Sequence, residues 1–142
     1  MKLPNQKFWK KKKVLVTGHT GFKGGWLCVL LDMLGCKVSG LALDPVGKHN
    51  FFNSVHLNKI LANDFRQDIS DLKKLKKAIN KCKPEIIFHL AAQSSVIESF
   101  KNSHNTIISN IIGTTNILEI IKQNKFIKCA VLITTDKVYQ NY

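Results

Sequence analysis

The amino-acid sequence predicts an α/β domain, a doubly wound parallel sheet carrying helices on both faces. Three features point there. Short, continuously apolar runs suited to buried strands recur along the chain, helix-patterned segments alternate with them, and a glycine triplet directly follows the first run. A length of 142 residues is enough for one sizeable core, so a single domain is expected.

The elements follow in order. "KKVLVTG", up to Gly18, reads as a buried strand bounded by charge and glycine. From Phe22 to Leu34 the spacing of Trp26, Leu27, Leu30, Leu31 and Leu34 is helical, and Gly35 stands where a helix stops. "KVSGLAL" is a second strand ending at Asp44, and the turn-rich "DPVGKHNFFNSVHLNK" reads as a surface loop. A weak strand is placed around Ile60 to Phe65. "SDLKKLKKAINKCKP" is the clearest helix: Ser70 or Asp71 caps it, Leu72, Leu75, Ile79 and Cys82 form one face, and Pro84 ends it. "EIIFHLAA" is a further buried strand, a helix is predicted from about Thr106 to Asn124, and "CAVLITT" is a fifth strand.

Composition narrows the class. Hydrophobic residues make up 44%, which suits a globular chain, and the longest apolar run, "WLCVLLDML", is too short for a bilayer and contains Asp32. The basic start has no small-residue cleavage site after it, so no signal peptide is expected. Cys28, Cys36, Cys82 and Cys129 are widely spaced with no C-x-x-C pair, which fits buried reduced thiols in a cytoplasmic protein. The formal charge of +13 invites a nucleic-acid reading, but only Arg66 among the 22 basic residues is arginine. The lysines also fall in separate segments without interleaved aromatics, so neither nucleic acid nor membrane is expected as a partner. No metal site is expected, since His89 has no second ligand at zinc spacing.

The triplet Gly18, Gly21 and Gly24 carries the functional signal. Placed between a strand and a helix, the first glycine permits the tight turn, the second lets the backbone approach a pyrophosphate, and the third lets helix and strand pack closely. Free N–H groups at the helix start then face the phosphates. This predicts a Rossmann-type dinucleotide-binding domain, with the turn residues Gly18, His19, Thr20, Gly21, Phe22, Lys23 and Gly24 around the cofactor. Asp44, at the end of the second strand, is positioned to hydrogen-bond an adenosine ribose and to repel a 2′-phosphate, which favours NAD over NADP. The alternative is a plain turn aspartate. Asp68 and Ile69 are candidates for the adenine edge, against an Asx turn before the capped helix.

The segments "TGHTGFKGGWL", "HLAAQSSV", "SNIIGTTNILE" and "TTDKVY", in that order, resemble the extended short-chain dehydrogenase/reductase family of nucleotide-sugar epimerases and dehydratases. The "GHTGFKGGW" version is similar to the members that dehydrate CDP-glucose. The resemblance implies an NAD-dependent lyase in deoxysugar biosynthesis. Hydride leaves C4 of the glucose, water is lost across C5 and C6, and hydride returns to C6, giving CDP-4-dehydro-6-deoxyglucose. A full-length member is expected to be a homodimer.

Carried across residue by residue, the resemblance assigns Thr135 to the sugar 4-hydroxyl, Asp136 as the acid for the departing 6-hydroxyl and Lys137 as the base for the C5 proton. A lysine base requires a pKa lowered by burial or neighbouring positive charge. Leu90, Ala91 and Ala92 correspond to the segment beside the nicotinamide-side ribose, Thr134 to the strand end next to the cofactor, and Asn110 to a structural or cofactor-orienting asparagine. Lys23 can offset pyrophosphate charge and His19 can donate a hydrogen bond nearby; a solvated first-turn lysine is the alternative for Lys23.

The family's redox step also uses a Tyr with a Lys four residues later, and no such pair occurs in this sequence. Tyr139 and Tyr142 lie too close to "TTDK" for that role. The expectation is therefore a domain truncated after about its fifth strand, matching the amino-terminal half of a family member, without the sugar-nucleotide lobe. Isoleucines spread around the helix at 106–124 suggest an exposed apolar patch. Such a chain should bind NAD weakly and turn over nothing. The readings kept open beside this one are another epimerase or dehydratase of the family, and a non-catalytic NAD-binding module.

Overall fold

The computed structural model describes residues 4–135 of the chain. A short helix α1 (Gln6–Trp9) leads into β1 (Lys13–Thr17), α2 (Phe22–Met33) and β2 (Lys37–Ala42). The connection to β3 (Asn63–Arg66) contains a helical turn α3 (Phe51–Ser54) and a 3-10 turn (Leu57–Lys59). Then come α4 (Leu72–Cys82), β4 (Ile86–His89), α5 (Val96–Lys101), α6 (Ser103–Ile107), a π-helical segment (Ile108–Gly113), α7 (Thr114–Gln123) and β5 (Cys129–Leu132). The five strands form one parallel sheet in the order β3-β2-β1-β4-β5. The doubly wound Rossmann-type architecture read from the sequence is the one observed, and its topological switch lies between β1 and β4.

Alternation along β1 builds the two cores. Val14 and Val16 face α2 with Val38, Cys28, Leu31, Phe52 and Ile86. Leu15 faces the opposite way, with Leu41, Ile87, Leu75, Ile79, Ile117 and Ile120 beneath α4 and α7. Such two-sided burial is why the strands are apolar without interruption. Helix α4 starts as its sequence signals: the Asp71 carboxylate accepts from the Lys74 N–H at 3.0 Å, and Leu75 and Ile79 are fully buried.

Three expectations need correction. The segment after Asp44 is not only surface loop, because Phe52 and Leu57 are buried and close one end of the α2-side core. The turn signals of Gly, Pro and Asn masked those two anchors. The predicted helix at 106–124 begins at Ser103 and contains the π-helical segment, and α1 and α5 were not foreseen. Of the cysteines, all free, Cys28 and Cys36 are buried as expected, whereas Cys82 is half-buried and Cys129, opening β5, is exposed. Burial pushes the Cys28 thiol up to about 12 and the Cys82 thiol up to about 11, so neither forms a thiolate near neutral pH.

Lys83 ends α4 in the left-handed region at φ 44°, immediately before Pro84. A left-handed helix cap suits glycine, and a side chain there is strained. Lys83→Gly is expected to raise stability by about 0.5–1 kcal/mol, read as a higher urea midpoint; an unchanged or lower midpoint would show the cap to be relaxed.

Candidate functional site

Where β1 ends, Thr17 gives way to Gly18 at φ +76°, whose N–H donates to the Leu41 carbonyl at 2.8 Å and whose carbonyl accepts from Gly21 N–H at 3.1 Å. The three glycines are not equivalent. A Cβ on Gly18 would sit 2.8 Å from the Ala91 nitrogen, and one on Gly24 would sit 2.2 Å from the Gly18 oxygen. Both are excluded by backbone. A Cβ on Gly21 would meet only the Gly18 oxygen, at 3.3 Å. Gly21 is also the N-cap of α2 and supplies no side-chain cap, which leaves the helix start open to an anion.

Across from this turn lies the segment after β4. The Thr17 hydroxyl oxygen accepts from Leu90 N–H and Ala91 N–H, each at 3.2 Å, and donates its own proton to His89 Nδ1 at 2.7 Å. With Nδ1 accepting, His89 carries its proton on Nε2, which donates to the Thr114 hydroxyl at 3.0 Å. One relay thus joins β1, β4 and α7 beneath the cleft. Asn110, in the π-helical segment, holds the same loop from the other side. Its Oδ1 accepts from Gln93 N–H at 2.7 Å and its Nδ2 donates to the Gln93 carbonyl at 2.9 Å.

Between these walls a cleft of about 520 Å³ opens along the carboxyl ends of the strands. It brings together Gly18, Thr20, Gly21, Phe22, Lys23, Gly24, Asp68, Ile69, Leu90, Ala91, Ala92 and Thr134, all candidates from the sequence. Ala42, Leu43, Gln67, Ser94, Ser109 and Ile133 also line it and were not foreseen; nothing in their spacing distinguishes them from strand-end and helix residues.

The other candidates fall elsewhere. Asp44 is exposed two residues beyond β2, and Asn110 acts on the loop backbone rather than lining the cleft. Thr135 is exposed just past β5, while Asp136 and Lys137 lie outside the described residues. Asp68 forms the Asx turn named as an alternative, accepting from Ser70 N–H at 2.8 Å, while still lining the cleft.

His19 is a correction. Its ring is fully buried, stacked on Gly40 so closely that a Cβ there would lie 2.4 Å from it, and its Nε2 donates to Asp64 at 2.9 Å. An imidazole pinned in this notch holds the turn from behind and does not line the phosphate side. Its Nδ1 is buried with no hydrogen-bond partner among the described residues, as suits an unprotonated nitrogen. Burial holds its pKa below the usual histidine value, against the pull of Asp64. Burial alone lowers that of His89.

The cleft fits a dinucleotide on its own chemistry. The Gly21 cradle and uncapped helix suit a pyrophosphate, and Ala91 and Ala92 leave room beside β4. The buried Gln67 Nε2 lacks a hydrogen-bond partner among the described residues, so it offers a donor at the cleft wall. Groups of His, Cys, Asp and Glu able to hold a metal ion are absent among the described residues. No helix among them is long and apolar enough to cross a membrane.

Fold and site together define a Rossmann-type α/β domain with a cleft at its topological switch point. A family model described as GDP-mannose 4,6 dehydratase matches residues 15–141, and the chain belongs to that family. It is similar to the CDP-glucose 4,6-dehydratase of Salmonella typhimurium, with 44% identity over 96% of this chain and 38% of that protein. The dTDP-D-glucose 4,6-dehydratase of Dictyostelium discoideum is 32% identical over 90% of this chain and 30% of its own length. Among solved structures, a UDP-glucose-4-epimerase of Stenotrophomonas maltophila with bound NAD superposes with a TM-score of 0.72 at 25% identity, covering 92% of this chain and 39% of that one. The chain therefore spans well under half the length of these relatives.

Both buried imidazoles favour the neutral form. The unfolded chain binds protons as the pH falls through 6.5, the ordinary histidine value, while the folded chain resists them. Stability is thus full above about pH 7 and declines below 6.5. Urea midpoints should drop between pH 7.5 and 5.5, and His89→Gln should reduce that drop; a flat profile in the parent chain would contradict the assignment.

Proposed function

We propose that this chain forms the dinucleotide-binding part of an NAD-dependent 4,6-dehydratase acting on CDP-glucose. The observation that carries the reading is the cleft at the β1/β4 switch, where the uncapped start of α2 at Gly21 faces the small side chains of Ala91 and Ala92. The 44% identity to the Salmonella CDP-glucose enzyme, together with the resemblance of "GHTGFKGGW" to that branch, favours CDP-glucose over other sugar nucleotides.

NAD, when bound, supplies a hydride acceptor that is restored within each turnover. The chain's own residues bind and orient. The α2 N–H groups and Lys23 face the diphosphate, Asp68, Ile69 and Gln67 border the adenosine end, and Leu90 to Ala92 flank the reactive end. Thr135 orients the sugar 4-hydroxyl, Asp136 protonates the departing 6-hydroxyl, and Lys137 takes the C5 proton, which the 4-keto group makes acidic. The exposed Ile107, Ile111 and Leu118 form the face for a second subunit of the full-length enzyme.

The glycine geometry separates binding from folding. Gly21 sits at φ −78°, which alanine adopts freely, and a Cβ there has only a 3.3 Å contact. Gly21→Ala should therefore keep the unfolding free energy, read from urea titration, within about 1 kcal/mol of the parent chain while weakening NAD at least about tenfold in calorimetric titration. Gly24→Ala should lower stability itself by about 2 kcal/mol or more. Equal NAD affinity in Gly21→Ala and the parent would refute the phosphate cradle.

Incubated with NAD and CDP-glucose, the 142-residue chain should give no 4-keto product by mass spectrometry, since the sequence carries no Tyr-x-x-x-Lys pair. Product formation would overturn that assignment. A reading frame that continues beyond codon 142 into such a pair supports the enzyme, and a stop there supports a binding module.

A further inference from the structure

Arg66 is the single arginine of the sequence, and the fold puts it at the carboxyl end of β3, next to the cleft-lining Gln67. It ends β3 in register with Ala42, the last residue of β2, and its Nη1 donates to the Leu43 carbonyl at 3.4 Å. Ala42 and Leu43 both line the cleft. In a Rossmann-type site the end of the second strand meets the adenosine ribose. A carboxylate there selects the free 2′-hydroxyl, and an arginine accommodates a 2′-phosphate. This chain has both: Asp44 just beyond β2, and a guanidinium that reaches the carbonyl of the preceding residue, Leu43. By charge, an uncommitted Arg66 would admit NADP.

Arg66 is committed. Its Nη2 pairs with Asp64 Oδ2 at 2.9 Å, and its guanidinium lies 4.3 Å from the Phe52 ring centre. The other Asp64 oxygen accepts from His19 Nε2 at 2.9 Å, and the His19 ring meets Phe52 edge-on with centroids 5.7 Å apart. The four side chains close a ring. His19 is its fixed post, fully buried on Gly40, which itself stands in register with Asp64. A carboxylate tied to an immobile imidazole holds the arginine far more firmly than a solvated partner could, and cancels its charge.

We propose that Asp64 is a specificity-determining residue: by tethering and neutralising Arg66 through the His19–Asp64–Arg66–Phe52 ring, it makes the adenosine end select NAD against NADP. The proposal rests on the dinucleotide reading of the cleft. It assigns discrimination to a β3 residue absent from the cleft lining, in addition to Asp44.

Dissociation constants for NAD and NADP, measured by calorimetric titration on the 142-residue chain, test it. The parent should prefer NAD. Asp64→Ala should shift the NAD/NADP affinity ratio toward NADP by about tenfold or more, the scale of one charge-assisted hydrogen bond to the 2′-phosphate. Adding Arg66→Gln to Asp64→Ala should remove the shift. Asp64→Asn keeps an oxygen for His19 and removes the charge, so it carries the test if Asp64→Ala does not fold, with a shift in the same direction. A ratio unchanged in a folded Asp64 variant that still binds NAD overturns the proposal, as does a shift that survives the loss of Arg66. A parent chain that binds neither dinucleotide overturns the cofactor reading and this one with it.

Discussion

A Cβ on Gly24 would lie 2.2 Å from the Gly18 carbonyl oxygen, and one on Gly18 would lie 2.8 Å from the Ala91 nitrogen. Three chain segments (the end of β1, the start of α2 and the loop after β4) therefore meet backbone to backbone. That contact sets how far α2 stands from the sheet, and hence which residues of α2 reach the core: Gly24, Gly25, Cys28 and Leu31 are buried together. It also leaves the α2 start without a capping side chain, because any residue bulky enough to cap at that point would intrude on the cleft. The site is thus a by-product of the tightest packing in the fold. Of the three, Gly21, where a Cβ would meet one backbone oxygen at 3.3 Å, is the least confined and the one left to serve a ligand.

Two neutral imidazoles brace this arrangement from opposite sides of β1. His89 links Thr17 to Thr114, and through the Thr17 hydroxyl it organises the Leu90 and Ala91 amides. His19 fills the notch over Gly40 and reaches Asp64. Each imidazole uses one N–H as a directed donor; a second proton on His89 would face the Thr17 hydroxyl, which already donates, and one on His19 would charge a fully buried ring. Burial and hydrogen bonding thus agree on the same protonation state, which makes these struts rigid near neutral pH.

Much of this was legible in the sequence because each signal had a local cause. Uninterrupted apolar strands announced a sheet covered on both faces, the Ser70–Asp71 pair announced the start of α4, with Asp71 the residue that caps it, and glycine spacing announced the turn. Where the cause was non-local, reading failed. His19 looked like a phosphate contact because it flanks the turn; its true neighbours, Gly40 and Asp64, are strands away. Phe52 and Leu57 were lost among turn-forming residues, although they close a core. Gln67 and Ser109 enter the cleft only because strand order and the π-helical segment bring them there. Asn110 is expected from the sequence as a structural or cofactor-orienting asparagine, and its partner, the Gln93 backbone, could not be inferred from spacing.

The lysines show the same lesson in reverse. Scattered in the sequence, four of them meet at the amino edge of the sheet: Lys37 N–H donates to the Lys12 carbonyl, Glu85 N–H to the Lys13 carbonyl, and Lys128 N–H to the Glu85 carbonyl. In a parallel α/β layout this edge also receives the carboxyl ends of the helices, where Lys81 and Lys122 occupy the last turns of α4 and α7. Cations there complement the partial negative charge of the helix ends. The opposite edge, with the uncapped start of α2, offers partial positive charge to a diphosphate. Strand starts and helix ends together thus hold several of the lysines behind a charge of +13 at the edge away from the cleft. Around the carboxyl ends of β2 and β3, where the proposal puts the adenosine, the charged groups are Asp44, Asp64, Asp68 and Arg66.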